Sequence, residues 1–487
     1  MNKDLQILIN SGIQSIQENN LVKAELYFKE ALKKNTNLNL VYCYLIPTLI
    51  QQLKNEEAFL YNKKFLDAVG ENENYFIYQG VLNLNNNLLE QAQKCFKNVL
   101  KINSKNYDAL VNLGVVLNKM HLNHEALIPL KKAISINPNK TLAYQNIGKV
   151  YDDEADYDNA VSNYRKALTI NPNDFETIHN LSLIQLTVGD YKNGWDNYNL
   201  RWNKKNKIYK YSNFPVLENL DNLSGKKILI WYEQGLGDTI QFSRYLNLLH
   251  AQKALITFEV QSPLVEFFKF NFNYNIVESA QGMQFDFQIP LLSLPKLFGM
   301  NLNNTLKLDK FLKCKEDKKE TWQKELPLSP SKINIGVAIS GNPNQAIEYR
   351  RKIELESLIP LLKYSKIFLV QKEITNKQAE FIKNHDDIIF LGENQKWENF
   401  DDTSAIIDNL DVMISVDTSL THLAGSMGKK TYLLLSKPAD WRWGVDNKCT
   451  PKWYETVEII RQKEKRNWSN VMKELEEKII YEYKKRF

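Results

Sequence analysis

Small and bulky residues recur every 34 positions through the first two hundred residues. One series contains only small residues: Ala24, Ala58, Ala92, Ala126, Ala160 and Gly194. A second series contains small residues except at its second member: Gly12, Ile46, Gly80, Gly114, Gly148 and Ser182. A third series is large and mostly apolar, again except at its second member: Phe28, Asn62, Phe96, Leu130, Tyr164 and Tyr198. A period of this length indicates that one structural unit repeats along the chain.

Each unit is expected to be a pair of packed helices. A small residue on each helix lets the two cross closely, and a bulky residue four positions later lies on the same helical face. Pro138 and Pro172 each close a unit, because proline cannot continue a helix. The predicted units are 5–38, 39–72, 73–106, 107–140, 141–174 and 175–208. Unit 39–72 is the weakest, since it carries Ile46 and Asn62. This region resembles tetratricopeptide repeats, whose curved surface typically holds a peptide or protein.

The pattern changes after Trp202. Residues 203–225 are polar and lack an apolar helical stripe, so we expect a linker. From Lys226, short apolar runs alternate with amphipathic segments, which is typical of βαβ units and parallel sheets. The strands expected in the first half are 228–232, 255–260, 276–278 and 285–289. Those expected in the second half are 333–339, 366–370, 388–391, 412–416, 432–435 and 457–460.

These patterns together predict an α + α/β multidomain protein, with an N-terminal α-solenoid followed by two α/β domains. The predicted limits are 1–205 for the solenoid, 206–225 for the linker, 226–325 for the first α/β domain and 326–487 for the second. The second domain is expected to end in an amphipathic helix over 467–483. Two α/β domains of similar size predict a cleft between them, with ligands at the carboxyl ends of the strands.

The net charge, the cysteines and the absence of apolar spans in the sequence bear on the expected partners and on the cellular compartment. The 487 residues include 63 Lys and Arg against 57 Asp and Glu, so the formal charge is +6. That excess is small for the length and does not favour nucleic acid or an anionic membrane as a partner. The four cysteines lie far apart without a CxxC pair, which fits a reducing compartment. No signal peptide or transmembrane segment is evident, so we expect a cytoplasmic protein.

The first loop with candidate chemistry spans residues 233–241, directly after the first expected strand. Gly235 and Gly237 let the backbone turn sharply and approach a ligand. Asp238 falls at the start of the following helix, where it is either an N-cap or a catalytic carboxylate. A dinucleotide fingerprint needs a third glycine where this chain has Ile240, so a nicotinamide-dependent oxidoreductase is disfavoured.

Two further loops follow strands of the second half. Residues 340–344 lead into the cations Arg350, Arg351 and Lys352, which are either a grip for a diphosphate or a solvated basic run. In residues 417–425, Thr418 or Ser419 can cap a helix whose first N–H groups suit a phosphate. His422 lies on the face of Thr418. The tryptophans of residues 440–443 are expected to pack between domains more often than to stack on a ligand.

Taken together, these motifs resemble bacterial proteins that join tetratricopeptide repeats to a glycosyltransferase family 9 (heptosyltransferase-like) domain. The resemblance covers nearly the whole chain. The matching stretches are 189–191, 194–195, 201–202, 233–241, 285–286, 293–295, 341–343, 370–372, 415–418, 422–425 and 440–443.

The resemblance implies a GT-B-type pair of Rossmann-like domains, the first on the acceptor side and the second holding the nucleotide sugar. It implies inverting transfer from a nucleotide-diphosphate sugar to an acceptor hydroxyl of a protein or glycan, with no metal cofactor. Asp238 matches the expected general base. The donor-binding residues that it suggests are Gly235, Gly237, Asn342, Arg351, Lys372, Asp417, Thr418, Ser419 and His422.

Two readings of the whole chain therefore stay open. In the first, a glycosyltransferase recruits a protein acceptor or partner through its repeats. In the second, the α/β part is a catalytically weak sugar-nucleotide-binding relic and the repeats act as a protein-interaction scaffold. The stretch 347–350 departs from the family pattern, with only Arg351 matching after it, and this supports the second reading. The retained Asp238 supports the first.

Overall fold

The computed structural model describes residues 3–36, 38–203, 209–302, 310–341, 348–394, 396–446 and 452–487. Contacts between Cα atoms divide the chain into two compact units, Met1–Asn180 and Leu181–Phe487. The predicted limits at 205, 225 and 325 are a finer division of the chain and stay predictions.

The first two hundred residues form helices that follow one another in pairs, as the repeat predicts. The helices are α1 (Lys3–Gln17), α2 (Leu21–Lys34), α3 (Asn39–Gln51), α4 (Asn55–Val69), α5 (Glu73–Asn85), α6 (Leu89–Ile102), α7 (Tyr107–Lys119), α8 (Asn123–Ile136), α9 (Thr141–Asp153), α10 (Tyr157–Ile170), α11 (Phe175–Thr187) and α12 (Tyr191–Asn199). Several begin at a side chain that accepts a backbone N–H of the first turn, which satisfies a donor with no helical partner. These caps are Asn20, Asn72, Asn106 and Asp156.

Within a repeat, the small residue of one helix faces the bulky residue of the next. A Cβ atom built on Gly80 would lie 2.7 Å from Cε1 of Phe96, and one on Gly148 would lie 2.7 Å from Cε1 of Tyr164. Real Cβ atoms do not approach that closely, so any larger residue would force the helices apart. The 34-residue pattern therefore reflects direct packing of one helix against its partner.

The second repeat has the large and small residues exchanged. Ile46 of α3 stands where four other repeats have glycine, Asn62 of α4 stands where most of them have a bulky residue, and both are fully buried. The side-chain amide of Asn62 donates to Oε1 of Gln79 over 3.0 Å. The unit that the sequence marks as weakest is still a helix pair, because a large residue on one helix compensates for a small one on the other.

Two parallel sheets make up the α/β part of the second unit, and all ten expected strands are present within two residues of their predicted ends. The first sheet contains β1 (Lys227–Trp231), β2 (Leu255–Glu259), β3 (Asn275–Val277) and β4 (Phe287–Pro290), in the order β3-β2-β1-β4. The second contains β5 (Ile333–Ala338), β6 (Ser365–Leu369), β7 (Ile388–Phe390), β8 (Val412–Val416), β9 (Thr431–Leu435) and β10 (Val457–Arg461), in the order β10-β9-β8-β5-β6-β7.

In both sheets the strand order reverses direction next to the first strand. The reversal lies between β1 and β4 in the first sheet and between β5 and β8 in the second. Parallel sheets with this order bind ligands in the crevice outside the carboxyl ends of the strands at that point. The loops after β1 and β8, which carry Asp238 and Asp417, therefore lie where a ligand site is expected.

Short helices connect and cover the strands. They are α13 (Leu236–Phe242), α14 (Leu246–Ala251), α15 (Val265–Asn271), α16 (Leu294–Leu297), α17 (Glu316–Glu325), α18 (Glu348–Arg351), α19 (Asn376–Lys383), α20 (Phe400–Asn409), α21 (Ser419–Ser426) and α22 (Ser469–Arg486). One apolar core joins the first sheet, α12 and one side of the second sheet. A second core lies between the second sheet and α22, which is the C-terminal helix that the sequence predicts. Among the described residues, no helix has the length and apolar character needed to cross a bilayer.

Candidate functional site

The loop after β1 turns directly into helix α13. Gly235 is the N-cap of this helix, and Asp238 is its third residue rather than the cap itself. The Asp238 carboxylate accepts the backbone N–H of Gly235 through Oδ2 over 2.9 Å. Asp238 is thus not the N-cap that one reading of the sequence expects. Its carboxylate instead accepts the N–H of the N-cap residue from the third position of the helix. The other carboxylate oxygen is left for a second partner.

That partner is Arg442, which follows β9 in the second sheet. Its Nη2 contacts Oδ1 of Asp238, and its Nη1 donates to Oδ1 of Asp440 over 2.8 Å. The side chain of Asp238 is 16 % exposed. Burial raises the pKa of Asp238, while the Arg442 guanidinium opposes that rise. A carboxylate held in this way has a fixed orientation and an elevated basicity, both of which suit a general base.

Sequence reasoning missed Arg442. It considered residues 440–443 for their tryptophans and for the family resemblance, but assigned no role to the arginine between them. Arg442 is 7 % exposed, and its guanidinium lies 4.3 Å from the centre of the Trp441 ring. An arginine between two tryptophans and two residues after an aspartate is the local sequence signal for such a buried ion pair.

The two tryptophans of this segment have different neighbours. Trp441 packs on Trp195 of α12 and on Phe242 of α13, with ring centroids 5.4 Å and 6.2 Å apart. It therefore connects a loop of the second sheet to helices beside the first sheet. Both sheets belong to one compact unit, so the expectation that the tryptophans pack between two domains stays a prediction. Trp443 instead donates its indole N–H to Oδ1 of Asp417 over 2.8 Å.

Helices α13 and α21 touch at their first turns. A Cβ atom on Gly237 would lie 3.0 Å from Cδ2 of His422 and 3.2 Å from Cα of Ser419. Only glycine leaves room for this approach without a shift of neighbouring atoms. The contact brings Asp238, the next residue, beside the helix start after Asp417, so the two loops that the sequence singled out lie side by side.

Asp417 is held by groups from two other segments. Its carboxylate accepts from Trp443, and its backbone carbonyl accepts from Nη1 of Arg351 over 2.9 Å. Burial, reinforced by the nearby Asp440, raises the pKa of Asp417 to about 6. This carboxyl group therefore changes its charge near neutral pH.

Thr418 and Ser419 occupy the start of α21. Thr418 is the N-cap by its backbone position, but its hydroxyl lies 3.1 Å from that of Ser415 and makes no capping bond. Ser419 is the first helical residue and contacts Gly237. Both residues lie beside Asp417, and their roles toward a donor stay predictions.

His422 is buried one turn into α21. Its Nδ1 lies 3.0 Å from the hydroxyl of Tyr454, and its ring stacks on Trp443 at 5.4 Å. Burial, with Arg442 and Arg244 nearby, lowers the pKa of His422 well below its ordinary value. The imidazole is therefore neutral, and it supports Trp443 and Gly237 by packing.

Arg351 belongs to the same cluster, and it is buried rather than part of a solvated run. Its Nε donates to Oε2 of Glu348 over 2.5 Å, and Oε1 of the same glutamate accepts the backbone N–H of Gly341 over 2.9 Å. Arg351 thereby ties the loop after β5 to the backbone of Asp417 after β8. Asn342, which the sequence also proposes for donor binding, lies outside the described residues.

Lys372 lies at a different contact. Its ammonium donates to the backbone carbonyl of Trp397 and lies 4.2 Å from the centre of that indole ring. Burial lowers its pKa. Lys372, on the loop after β6, is thus directed to the loop after β7, whereas the other described candidates gather around Asp238 and Asp417.

The loop after β1 is anchored from the far side by residues that the sequence analysis did not assign. Arg201 forms a two-pronged ion pair with Glu233, at 2.9 Å from Nε and 2.6 Å from Nη2, and both side chains are buried. Gln234 donates to the hydroxyl of Tyr198 over 2.6 Å and accepts from Arg442 over 3.3 Å. The segment around α12 therefore fixes the backbone that presents Asp238.

Clusters of metal-ligating side chains are absent from the part of the chain that the structure describes. Those residues contain no group of three or more His, Cys, Asp or Glu side chains arranged to hold an ion. The expectation that the site needs no metal stays a prediction.

Comparisons with known proteins identify the N-terminal region. Residues 142–174 match the tetratricopeptide repeat family. A thermophilic TPR protein from Thermus thermophilus is similar over 37% of this chain and 99% of its own, with 18% identity and a TM-score of 0.34. A MamA fragment from Desulfovibrio magneticus RS-1 is similar over 34% of this chain and 93% of its own, with 20% identity and a TM-score of 0.30.

A third similar structure is YrrB, described as a TPR protein with an unusual peptide-binding site. It has 21% identity and a TM-score of 0.28 over 35% of this chain and 89% of its own. No curated protein matches the chain. Residues 142–174 are therefore a tetratricopeptide repeat, and the helix pairs of the N-terminal region keep its 34-residue period.

Proposed function

We propose that the second unit is an inverting, metal-independent glycosyltransferase of GT-B type, and that the repeats bind a protein acceptor or partner. The observation that carries the proposal is the meeting of two strand-end crevices, one with Asp238 and the other with Asp417 at the start of α21. A nucleotide-diphosphate sugar suits such a place because the second sheet has the nucleotide-binding strand order and its loops hold buried arginines.

In the proposed reaction, Asp238 accepts the proton of an acceptor hydroxyl. The hydroxyl oxygen forms a bond to the anomeric carbon as the bond from that carbon to the diphosphate oxygen breaks, and the nucleoside diphosphate leaves with the electron pair. A positioned base of this kind contributes roughly 10²–10⁴ in rate. Arg351, Arg442 and the first N–H groups of α21 are the fixed positive groups available to the leaving diphosphate.

The first test is binding. A panel of nucleotide sugars is added to the full chain and its thermal unfolding is followed. A donor present at 100 times its dissociation constant is expected to stabilise the protein by about 2.7 kcal/mol. If no nucleotide sugar raises the unfolding temperature, the proposed substrate class is wrong.

The second test is turnover of the donor found in this way. Release of nucleoside diphosphate by Asp238→Asn is expected to fall roughly 10²–10⁴-fold below that of the unchanged protein. Asn keeps the shape of the side chain and can still accept from Gly235, so the fold is expected to survive. Asp286→Asn, at the exposed start of the β4 segment, is the matched control. Equal release by all three proteins would remove Asp238 as the base.

A second candidate function is a sugar-nucleotide-binding relic whose repeats act as a protein-interaction scaffold. The specific observation in its favour is that Arg442 pairs with the carboxylate that would serve as base, while Arg351 is engaged by Glu348. Nucleotide-sugar binding without any turnover, in the presence of a protein partner captured by the repeats, is the result that this candidate predicts.

A further inference from the structure

The position of Arg442 between two carboxylates has a consequence for how a ligand enters the site. Its Nη2 contacts Asp238 and its Nη1 contacts Asp440. Its Nε has no partner among the described residues, although the side chain is only 9 % exposed. A buried N–H donor without an acceptor is costly and is expected to find one when a ligand supplies it.

The surroundings of the guanidinium allow it to exchange partners without losing its packing. Its central carbon lies 4.3 Å from the centre of the Trp441 ring, which is itself held by Trp195 and Phe242. A guanidinium stacked on a ring turns or slides in its own plane while it keeps that contact. Its five N–H donors also match the oxygens of a phosphate.

The site contains three carboxylates, which would repel a bound anion. Such an anion is therefore expected to bind only if a cation turns toward it. Asp238, Asp417 and Asp440 all act electrostatically on Arg442 or on one another. A diphosphate that bound next to the start of α21 would compete with Asp238 for the same arginine.

We propose that Arg442 is a shared cation: it holds the Asp238 carboxylate until a diphosphate binds, then pairs with the diphosphate and releases Asp238 to accept a proton. The ligand class rests on the proposed function, whereas the competition for Arg442 rests on the contacts of that side chain. Arg442 thereby makes the base available only when the donor is present, which limits exposure of a free base to other reactions.

The proposal is tested by calorimetric titration of the full chain with inorganic pyrophosphate at pH 8 and fixed ionic strength. Asp238→Asn removes the competitor for Arg442 and is expected to tighten pyrophosphate binding on the order of tenfold, about 1.4 kcal/mol. Arg442→Gln is expected to weaken binding by a similar factor. In the double variant, the gain from Asp238→Asn is expected to disappear.

Asp417→Asn is the matched control for a simple change of charge. It also removes one carboxylate from the site, but Asp417 accepts from Trp443 and does not hold Arg442. Any tightening that it causes is therefore expected to persist in the Arg442→Gln background. If Arg442→Gln does not fold, Arg442→Met replaces it, because Met keeps an apolar chain against the Trp441 ring and carries no charge.

Three results would overturn the proposal: no pyrophosphate binding by any variant, equal affinity of the unchanged protein and Asp238→Asn, or a gain from Asp238→Asn that persists without Arg442. These outcomes are separate from failure of the proposed function. A protein that shows the exchange but turns over no nucleotide sugar keeps the shared arginine and loses the transferase.

Discussion

At the residue scale, the candidate site combines carboxylates and arginines at high burial. Asp238 and Asp440 share Arg442, and Arg351 binds Glu348 and the backbone of Asp417. Buried ion pairs of this kind are weak evidence for stability, because the cost of removing charges from water offsets much of their attraction. Their position at two strand ends fits a role in binding or catalysis better than a role in folding.

The pKa of Asp417 predicts how stability depends on pH. Its value of about 6 in the folded protein lies above the ordinary value of about 3.9 for an unfolded chain. The folded state therefore binds a proton more readily, so the associated stability is complete below about pH 4 and is lost as the pH rises through about 6. At pH 8 the ionised carboxylate costs about 2–3 kcal/mol.

Asp417→Asn is accordingly expected to raise the unfolding temperature at pH 8 and to change it little at pH 4, where the carboxyl is protonated in the folded chain and to a large extent also in the unfolded chain. Asn still accepts the indole N–H of Trp443 through its amide oxygen. Thermal unfolding of both proteins at the two pH values measures the difference. Asp286→Asn is the control. The backbone N–H of Lys227 and the side chain of Lys226 lower the pKa of the exposed Asp286 carboxyl, so replacing it is expected to bring no gain in stability at pH 8. An equal effect of Asp417→Asn at both pH values would contradict the assignment.

At the element scale, the repeats depend on how large and small residues meet between two helices. Four repeats place a glycine against a bulky residue, and the second repeat has buried Ile46 and Asn62 at the two corresponding positions. The exchange explains why the sequence pattern fails there while the helix pair persists. Packing volume is conserved between the two positions rather than at either one.

This compensation predicts strong coupling between the two positions. Ile46→Gly leaves a cavity and is expected to cost about 2–5 kcal/mol, while Asn62→Phe overfills the site and is expected to cost about 1–3 kcal/mol. The double variant restores the arrangement of the other repeats, so its cost is expected to fall at least about 1 kcal/mol below the sum. Urea unfolding of the full chain measures all four proteins, and additive costs would refute the exchange.

The contact between α13 and α21 predicts a position where one methyl group disturbs the site. Gly237→Ala would place a Cβ 3.2 Å from the backbone of Ser419, so the helices must separate, at an expected cost of about 1–3 kcal/mol. Gly235→Ala is the control: its Cβ would make an ordinary 3.4 Å contact with Asp238, and its N-cap position costs about 0.5–1 kcal/mol. Pyrophosphate binding is expected to weaken in the first variant and to persist in the second.

At the scale of the whole molecule, α12 belongs by its contacts to the unit that contains the two sheets. Trp195 and Tyr198 lie in the core of that unit, and Arg201, just after α12, pairs with Glu233 beside Asp238. A helix that continues the 34-residue pattern thus serves as part of the support for the candidate site. This double role follows from the identity of its side chains, since the repeat itself requires only small and bulky positions.

A pair of truncated chains tests this role. A chain of residues 174–487 keeps α11, α12 and Arg201, and is expected to unfold cooperatively with intact near-ultraviolet circular dichroism. A chain of residues 209–487 loses Trp195 and Tyr198, each worth about 3–5 kcal/mol in a core, and leaves Glu233 buried without its partner. It is expected to lose cooperative unfolding. Equal behaviour of the two chains would show that α12 is dispensable for the C-terminal unit.

By itself, the sequence determined the features that depend on local periodicity. The 34-residue repeat predicts the helix pairs, and short apolar runs predict all ten strands, because burial of a strand or a helical face leaves a regular spacing of apolar residues. It also placed Asp238 and Asp417 at strand ends, since each follows an apolar run directly. Signals of this kind need no knowledge of what packs against the segment.

Only the tertiary structure decided which of these side chains meet. Arg442 lies 204 residues from Asp238 in the chain, and Trp443 lies 26 residues from Asp417, so no local pattern connects either pair. The same holds for Arg201 and Glu233, which the sequence places in different predicted domains. Partners across the site are selected by the packing of two sheets and the segment around α12, and that packing depends on contacts distributed over the whole unit.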